Sequence, residues 1–177
     1  MRRSTAPIAG PSRSIARAEG GAIYVEFLIA FLPLFSFFLC IVQLAMLQTA
    51  NLIVKHAAVV ATRAAVVILP DDPAKYGGVG INRAEGARRE KIVQAATIPL
   101  STLENFPLPE VRFPTNEGGD DDRVAFGRDD LIRVQVTSFY RCRVPLARTL
   151  VCGAIIGIKR LRAEASLPNQ GADYGYN

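Results

Sequence analysis

GGAIYVEFLIAFLPLF, residues 20–35, opens the longest apolar run of the chain and sets a single carboxylate, Glu26, near its start. From Phe27 to Val54 no side chain is charged. A helix needs about 20 residues to cross the hydrocarbon of a bilayer, so this run reads as one membrane span with length to spare. Arg2, Arg3, Arg13 and Arg17 precede it against the one acid Glu19, an excess that predicts a cytoplasmic N-terminus with the rest of the chain outside. From Pro70 onward charges recur every few residues, and the chain divides there.

At 177 residues there is room for one small domain beside the anchor and none for a large multidomain enzyme. An ordinary secretory signal has an apolar core of about 7 to 15 residues, shorter than this run, which continues into helix-like sequence. SFFLC suggests lipoprotein processing at Cys40, but Leu39 stands where that processing wants a small residue. An uncleaved signal anchor holding an unrelated domain stays open on composition alone.

A carboxylate inside a membrane helix costs at least about 2.5 to 3.5 kcal/mol on insertion scales, so residues carrying that cost usually have a partner or a task. Gly20 and Gly21 immediately precede the helix, and a cut after Gly21 would leave the new amine of Ala22 one helical turn before Glu26. That amine is a cation at a helix N-terminus, and a carboxylate of its own chain or of a neighbouring subunit would neutralise it. The pairing between subunits would also set their register.

These residues resemble those of the type IV prepilins, whose basic leader ends in Gly and whose mature helix carries Glu at its fifth residue. Arg13, Arg17, Gly21, Ala22 and Glu26 match one by one. Within that superfamily the opening stretch and the alanine-rich KHAAVVATRAAVVILP are similar to the TadE-like pseudopilins of the tight-adherence (Flp) pilus. There a VEF motif, a proline about two turns on and an Ala-Arg-Ala motif recur, here as Val25-Glu26-Phe27, Pro33 and Thr62-Arg63-Ala64-Ala65. The likeness covers about the first 70 residues well; LRAEASLPNQGADY resembles the strand and tail that close such domains. The major Flp pilin is a very short peptide, so a chain with more than a hundred residues after its span fits a minor or assembly component better.

The resemblance implies cleavage by an aspartic prepilin peptidase on the cytoplasmic face. It also implies partnership with other pilins and pseudopilins and with an inner-membrane assembly platform powered by a separate ATPase. Its expected setting is the bacterial inner membrane, in contact with membrane lipid, with the outer domain periplasmic and a role in assembling an adhesive pilus.

Pro33 removes an amide donor and clashes with the carbonyl of Ile29, which predicts a kink. Such a turn could ease extraction from the bilayer, or be an ordinary membrane-helix proline. The helix should continue to Leu69, stopped by Pro70 and Pro73. Helical spacing places Asn51, Lys55 and Thr62 on one stripe, His56 and Arg63 beside it, and Ala57, Ala58, Ala61, Ala64 and Ala65 together opposite. The small face suits close packing, in a helix bundle or against the chain's own domain. His56, the only histidine, reads as a solvated residue at the membrane edge.

Residues 70–83 are rich in turn formers, and their GGVG lacks the Lys-Ser/Thr of a phosphate loop. AEGARREKIVQAAT predicts a short helix with Ile92, Val93 and Ala96 inward, ending before Pro99. Prolines, glycines and acids then dominate to about Phe126, with a strand piece at Val111 to Phe113. IRVQVTSFYRCRV alternates strictly, Ile132, Val134, Val136, Ser138, Tyr140, Cys142 and Val144 on one face and polar residues on the other. RLRAEASL is a second strand able to pair with it antiparallel. Between them Val151 to Ile158 form an apolar patch that packs as a core helix or inserts between subunits.

The whole predicts an α+β protein: a basic leader (1–21), a transmembrane and extended helix (22–69) and a small periplasmic α+β domain (70–177). Cys142 and Cys152 could pair in an oxidising compartment, the other reading being two buried thiols, while Cys40 stays free. Five aspartates within Asp120 to Asp130 raise calcium, but their spacing matches no EF-hand and Arg123 and Arg128 are interspersed, so they read as a solvated loop. Arg83, Arg88, Arg89 and Lys91 form one basic cluster and Arg141, Arg143 and Arg148 another, without the stacking aromatics of a nucleic-acid site. The pattern contains no nucleophile and base pair, no metal site and no cofactor motif, so no catalysis and no cofactor are expected. The rival reading is an uncleaved anchored domain that binds a surface or envelope partner.

Overall fold

A computed structural model describes residues 16–103, 108–153 and 157–170. Arg2, Arg3 and Arg13 of the leader, the middle of the Val151–Ile158 patch and the tail after Gln170 lie outside the described residues. The elements are helices α1 (Ala16–Ile68), α2 (Gly86–Leu100) and α3 (Ala147–Cys152), strands β1 (Glu110–Arg112), β2 (Leu131–Arg141) and β3 (Ile158–Pro168), and a 3₁₀ turn at Pro73–Tyr76. Long helix, small sheet and short helices make an α+β chain. Among the described residues, Gly21–Ile68 is the one helical stretch long and apolar enough to cross a membrane.

The chain divides into two compact units at Phe38/Leu39, within the uncharged run. The physical reason is that the uncharged run serves two environments. Gln43, Leu47, Ala50 and Val54 are already buried, in contact with their own domain. Lack of charge alone does not separate a lipid-facing helix from a core helix.

Within the second unit, α1 contributes Ala57, Ala58, Ala61 and Ala65, all at 0% exposure, to a single core. That core also takes Ile92, Ala96 and Leu100 from α2 and Ile132, Val134 and Val136 from β2. Of the two occupants open to the alanine face, it is the chain's own domain that covers it. Side chains this small let strands come close: the Thr62 hydroxyl donates to Ala58 O at 2.7 Å and lies 3.2 Å from Ala165 O on β3. Thr62 is therefore a buried residue rather than part of a polar stripe with Asn51 and Lys55. Its burial comes from β3 arriving over it, which helical spacing alone does not reveal.

The sheet is antiparallel in the order β1-β2-β3. Val111 faces Val136, Val134 faces Ala165 and Arg141 faces Ile158. The inner face of β2 is apolar as its alternation requires, but Gln135 and Thr137 on the other face are buried too. The segment after β1 covers them: Gln135 Nε2 donates to Gly119 O at 3.1 Å, and Arg162 Nη2 to the same carbonyl at 2.7 Å. Gly119 has no room for a side chain, since a Cβ would stand 2.5 Å from Asp121 Oδ1.

α1 stops where Pro70 removes an amide and disfavours helix at the preceding residue. No basic side chain sits in its last turn. Arg88 of α2 supplies that charge from a distance. Its guanidinium donates to Ile68 O, to Asp71 O at 2.8 Å and to Val79 O at 3.1 Å, with its carbon 4.5 Å from the Tyr76 ring centre. Arg88 is thus wholly buried and not part of a surface basic cluster. Its neighbours are also committed, Arg83 to Glu85 and Arg89 to Asp122. α2 also runs one residue past Pro99, where Ser101 N closes the last turn on Thr97 O at 2.9 Å.

Candidate functional site

The residues singled out at the head of the apolar run all lie in α1. Gly21, Ala22 and Glu26 are exposed on it. Around them the helix presents Ile23, Tyr24, Ile29 and Leu34, each about two-thirds exposed or more. Phe27, Phe31 and Phe35 stack one turn apart, with ring centres separated by 5.4 and 5.5 Å. This is the pairing expected of aromatics four residues apart on one helix face. Among the described residues none pairs with the Glu26 carboxylate.

Gly21 adopts ordinary helical geometry, and a Cβ built on it meets nothing within 4 Å. Alanine would fit there and would favour the helix by about 1 kcal/mol. The fold therefore has no use for a glycine at that position. Pro33 lies inside α1, which stays helical on both sides of it.

The second unit treats its polar groups differently. Gln43, fully buried, accepts hydrogen bonds from Arg143 N at 3.2 Å and Val144 N at 2.9 Å, fixing the segment after β2 to α1. Cys142, immediately before that clasp, is joined by a disulfide to Cys152 at the end of α3, and its amide donates to Gly157 O at 2.9 Å. Cys40 is free. Sequence reasoning passed over Gln43, one of three amides in the uncharged run beside Gln48 and Asn51, which nothing in the pattern singles out.

The aspartates of residues 120–130 hold the loop that covers the sheet. Asp120 pairs with Arg162 at 2.8 Å, Asp122 with Arg89 at 2.6 Å and Asp130 with Arg123. Hydrogen bonds from Thr115 hold the Asp121 carboxyl below its ordinary range. The Gly127 amide first, and Arg123 after it, do the same for Asp130. Among the described residues no group of three or more His, Cys, Asp or Glu side chains is arranged to hold a metal ion.

One apolar groove of about 590 Å³ runs between α1 and the end of α2, lined by Leu52, Ile53, His56 and Val60 facing Ile98 and Pro99. His56 is its one ionisable group. Neither groove nor helix brings a nucleophile to a base, so what the amino-terminal stretch offers chemically is apolar packing and one carboxylate able to neutralise a cation. Comparison with known proteins adds no kinship, since no family model, no curated protein and no solved structure matches the chain.

Proposed function

We propose that the chain is a non-enzymatic pseudopilin or minor pilin of a tight-adherence (Flp) type pilus. In this reading a prepilin peptidase cuts between Gly21 and Ala22, and the mature helix waits in the inner membrane with its domain in the periplasm. Entry into the fibre follows through helix packing, the Ala22 amine being neutralised by Glu26 of a neighbouring subunit. The observation that carries the reading is that, among the described residues, no neighbour crowds Gly21 and none pairs with Glu26. A glycine with open space around it suits a peptidase cleft, and a carboxylate among exposed apolar side chains suits an intermolecular cation.

The test is the intact mass of the protein recovered from membranes with and without its host's prepilin peptidase. The expected result is a chain beginning at Ala22 only when the peptidase is present, and loss of that processing in Gly21→Leu. A leader retained despite an active peptidase would overturn the reading. It would favour the anchored binding domain, for which the groove beside His56 offers a docking surface.

A further inference from the structure

We infer that the outer domain carries a second membrane contact, a basic and apolar patch that docks on anionic phospholipid headgroups. This rests on the membrane reading of α1 given above. Between Leu131 and Ala163 the chain has seven arginines and lysines and no acid. The register places Phe139 opposite Arg160 and Arg141 opposite Ile158, so these four side chains share one face at one end of the sheet. All four are exposed, Phe139 and Ile158 to nearly half. α3 adds to them. Its Arg148 packs over Gly157, where a Cβ would come within 2.6 Å of the arginine Cδ, and Leu150 stands 72% exposed.

The chemistry of this patch selects the occupant. Cations flanked by exposed leucine, isoleucine and phenylalanine suit the headgroup zone of an anionic bilayer, where apolar side chains enter the acyl boundary and arginines reach phosphates. The nearby acids are engaged elsewhere, Asp120 with Arg162, Asp122 with Arg89, Asp130 with Arg123 and Glu164 with Arg133, so among the described residues no acid pairs with Arg141, Arg148 or Arg160.

The chain contains no tryptophan, so single reporters can be placed. The full chain in nanodiscs with brominated acyl chains would carry Leu150→Trp on the patch or Phe31→Trp in the span, each in phosphatidylcholine alone and with phosphatidylglycerol added. Phe31→Trp is expected to be quenched in both lipids. Leu150→Trp is expected to be quenched and blue-shifted only with phosphatidylglycerol, and released by high salt. Adding Arg141→Ala or Arg148→Ala should lower the docking equilibrium about fivefold each, the factor corresponding to about 1 kcal/mol per basic residue near an anionic surface. Should Leu150→Trp unfold the domain by circular dichroism, Leu146→Trp, also exposed, replaces it.

An unquenched Phe31→Trp overturns the membrane reading itself. A quenched Phe31→Trp with an unquenched Leu150→Trp in both lipids overturns only the patch. Equal quenching of Leu150→Trp in both lipids removes the recognition of charge. A blue shift that requires two chains per disc gives the surface to a second copy.

Discussion

The part of α1 that ends at Phe38 buries none of its described side chains, whereas the part that begins at Leu39 buries one face and leaves the other open. In the first, Phe27, Leu28 and Leu32 are half exposed or more, and Glu26 has no described partner. In the second, four alanines are fully covered, and both buried polar groups, Gln43 and Thr62, bond within the chain. The buried residues of the second part are accounted for by the fold they stabilise, while Leu52 and Val67 stay about two-thirds exposed. Those of the first ask for other molecules, which is where the proposed cleavage, span and subunit pairing place their work.

The largest effect expected of any single change falls in the second unit, at Arg88. Its guanidinium satisfies carbonyls of Ile68, Asp71 and Val79 at the end of α1. Arg88→Ala strands those acceptors and should lower unfolding stability by roughly 3 kcal/mol or more. Arg88→Lys restores the charge but not the fork, so it should recover only part of the loss. Denaturant titration in detergent reads both. An Arg88→Ala protein as stable as the parent would show that the end of α1 holds itself.

Next come matched changes on the two parts of the helix. Ala61→Leu forces extra carbons into a site with no free surface and should cost about 1–3 kcal/mol. Leu32→Ala, on a half-exposed side chain, should move stability by no more than about 0.5 kcal/mol. Equal costs would mean that the first part is covered by its own chain after all. The disulfide belongs on the same scale: replacing Cys142 and Cys152 by serine should cost about 2–3 kcal/mol for a loop this short.

These contrasts mark what the amino-acid sequence could and could not convey. The stop of α1 at Pro70 and the antiparallel pairing of the two long strands were legible, because proline chemistry and strict alternation act locally. Arg88, Thr62, Gln135 and Thr137 were not, since each is polar by type and buried by the arrival of distant carbonyls or loops. Arg88 sits among Arg83, Arg89 and Lys91 in the chain and looks like one more surface cation. Its acceptors lie up to twenty residues back. The candidate site was legible as a list, Gly21, Ala22, Glu26 and Pro33, and the structure adds that among the described residues nothing crowds Gly21 and nothing pairs with Glu26.

A smaller effect is expected from pH, through carboxyls of the second unit. Asp71 is held below its ordinary pKa first by the Asp72 amide and then by Lys75, alongside the lowered Asp121 and Asp130. A carboxyl whose folded pKa is depressed contributes stability above its unfolded value of about 3.8, and that contribution disappears as pH falls through the folded value. Thermal midpoints should therefore drop on acidification below about pH 4, and Asp130→Asn should flatten the fall. Burial, followed by the Asp71 carboxylate, raises Tyr76 above its ordinary 10.0. Its contribution is present below that value and is lost as pH climbs through the raised one.

The smallest effect on folding should come from Glu26→Gln, and it separates the two parts of α1 most sharply. The substitution keeps the size and polarity of the side chain and removes only its charge. Since no described group in the chain pairs with that charge, unfolding stability should change by less than about 0.5 kcal/mol. Under the proposed function, the same substitution leaves the Ala22 amine of a neighbouring subunit without its counter-ion. Incorporation into the fibre, read by crosslinking between subunits in membranes, should fall steeply while cleavage at Gly21 continues. If Glu26→Gln instead lowered the unfolding midpoint as far as Ala61→Leu does, the carboxylate would have a partner in its own chain. Its presence in an apolar helix would then be a matter of folding, and the case for subunit pairing would lose its main support.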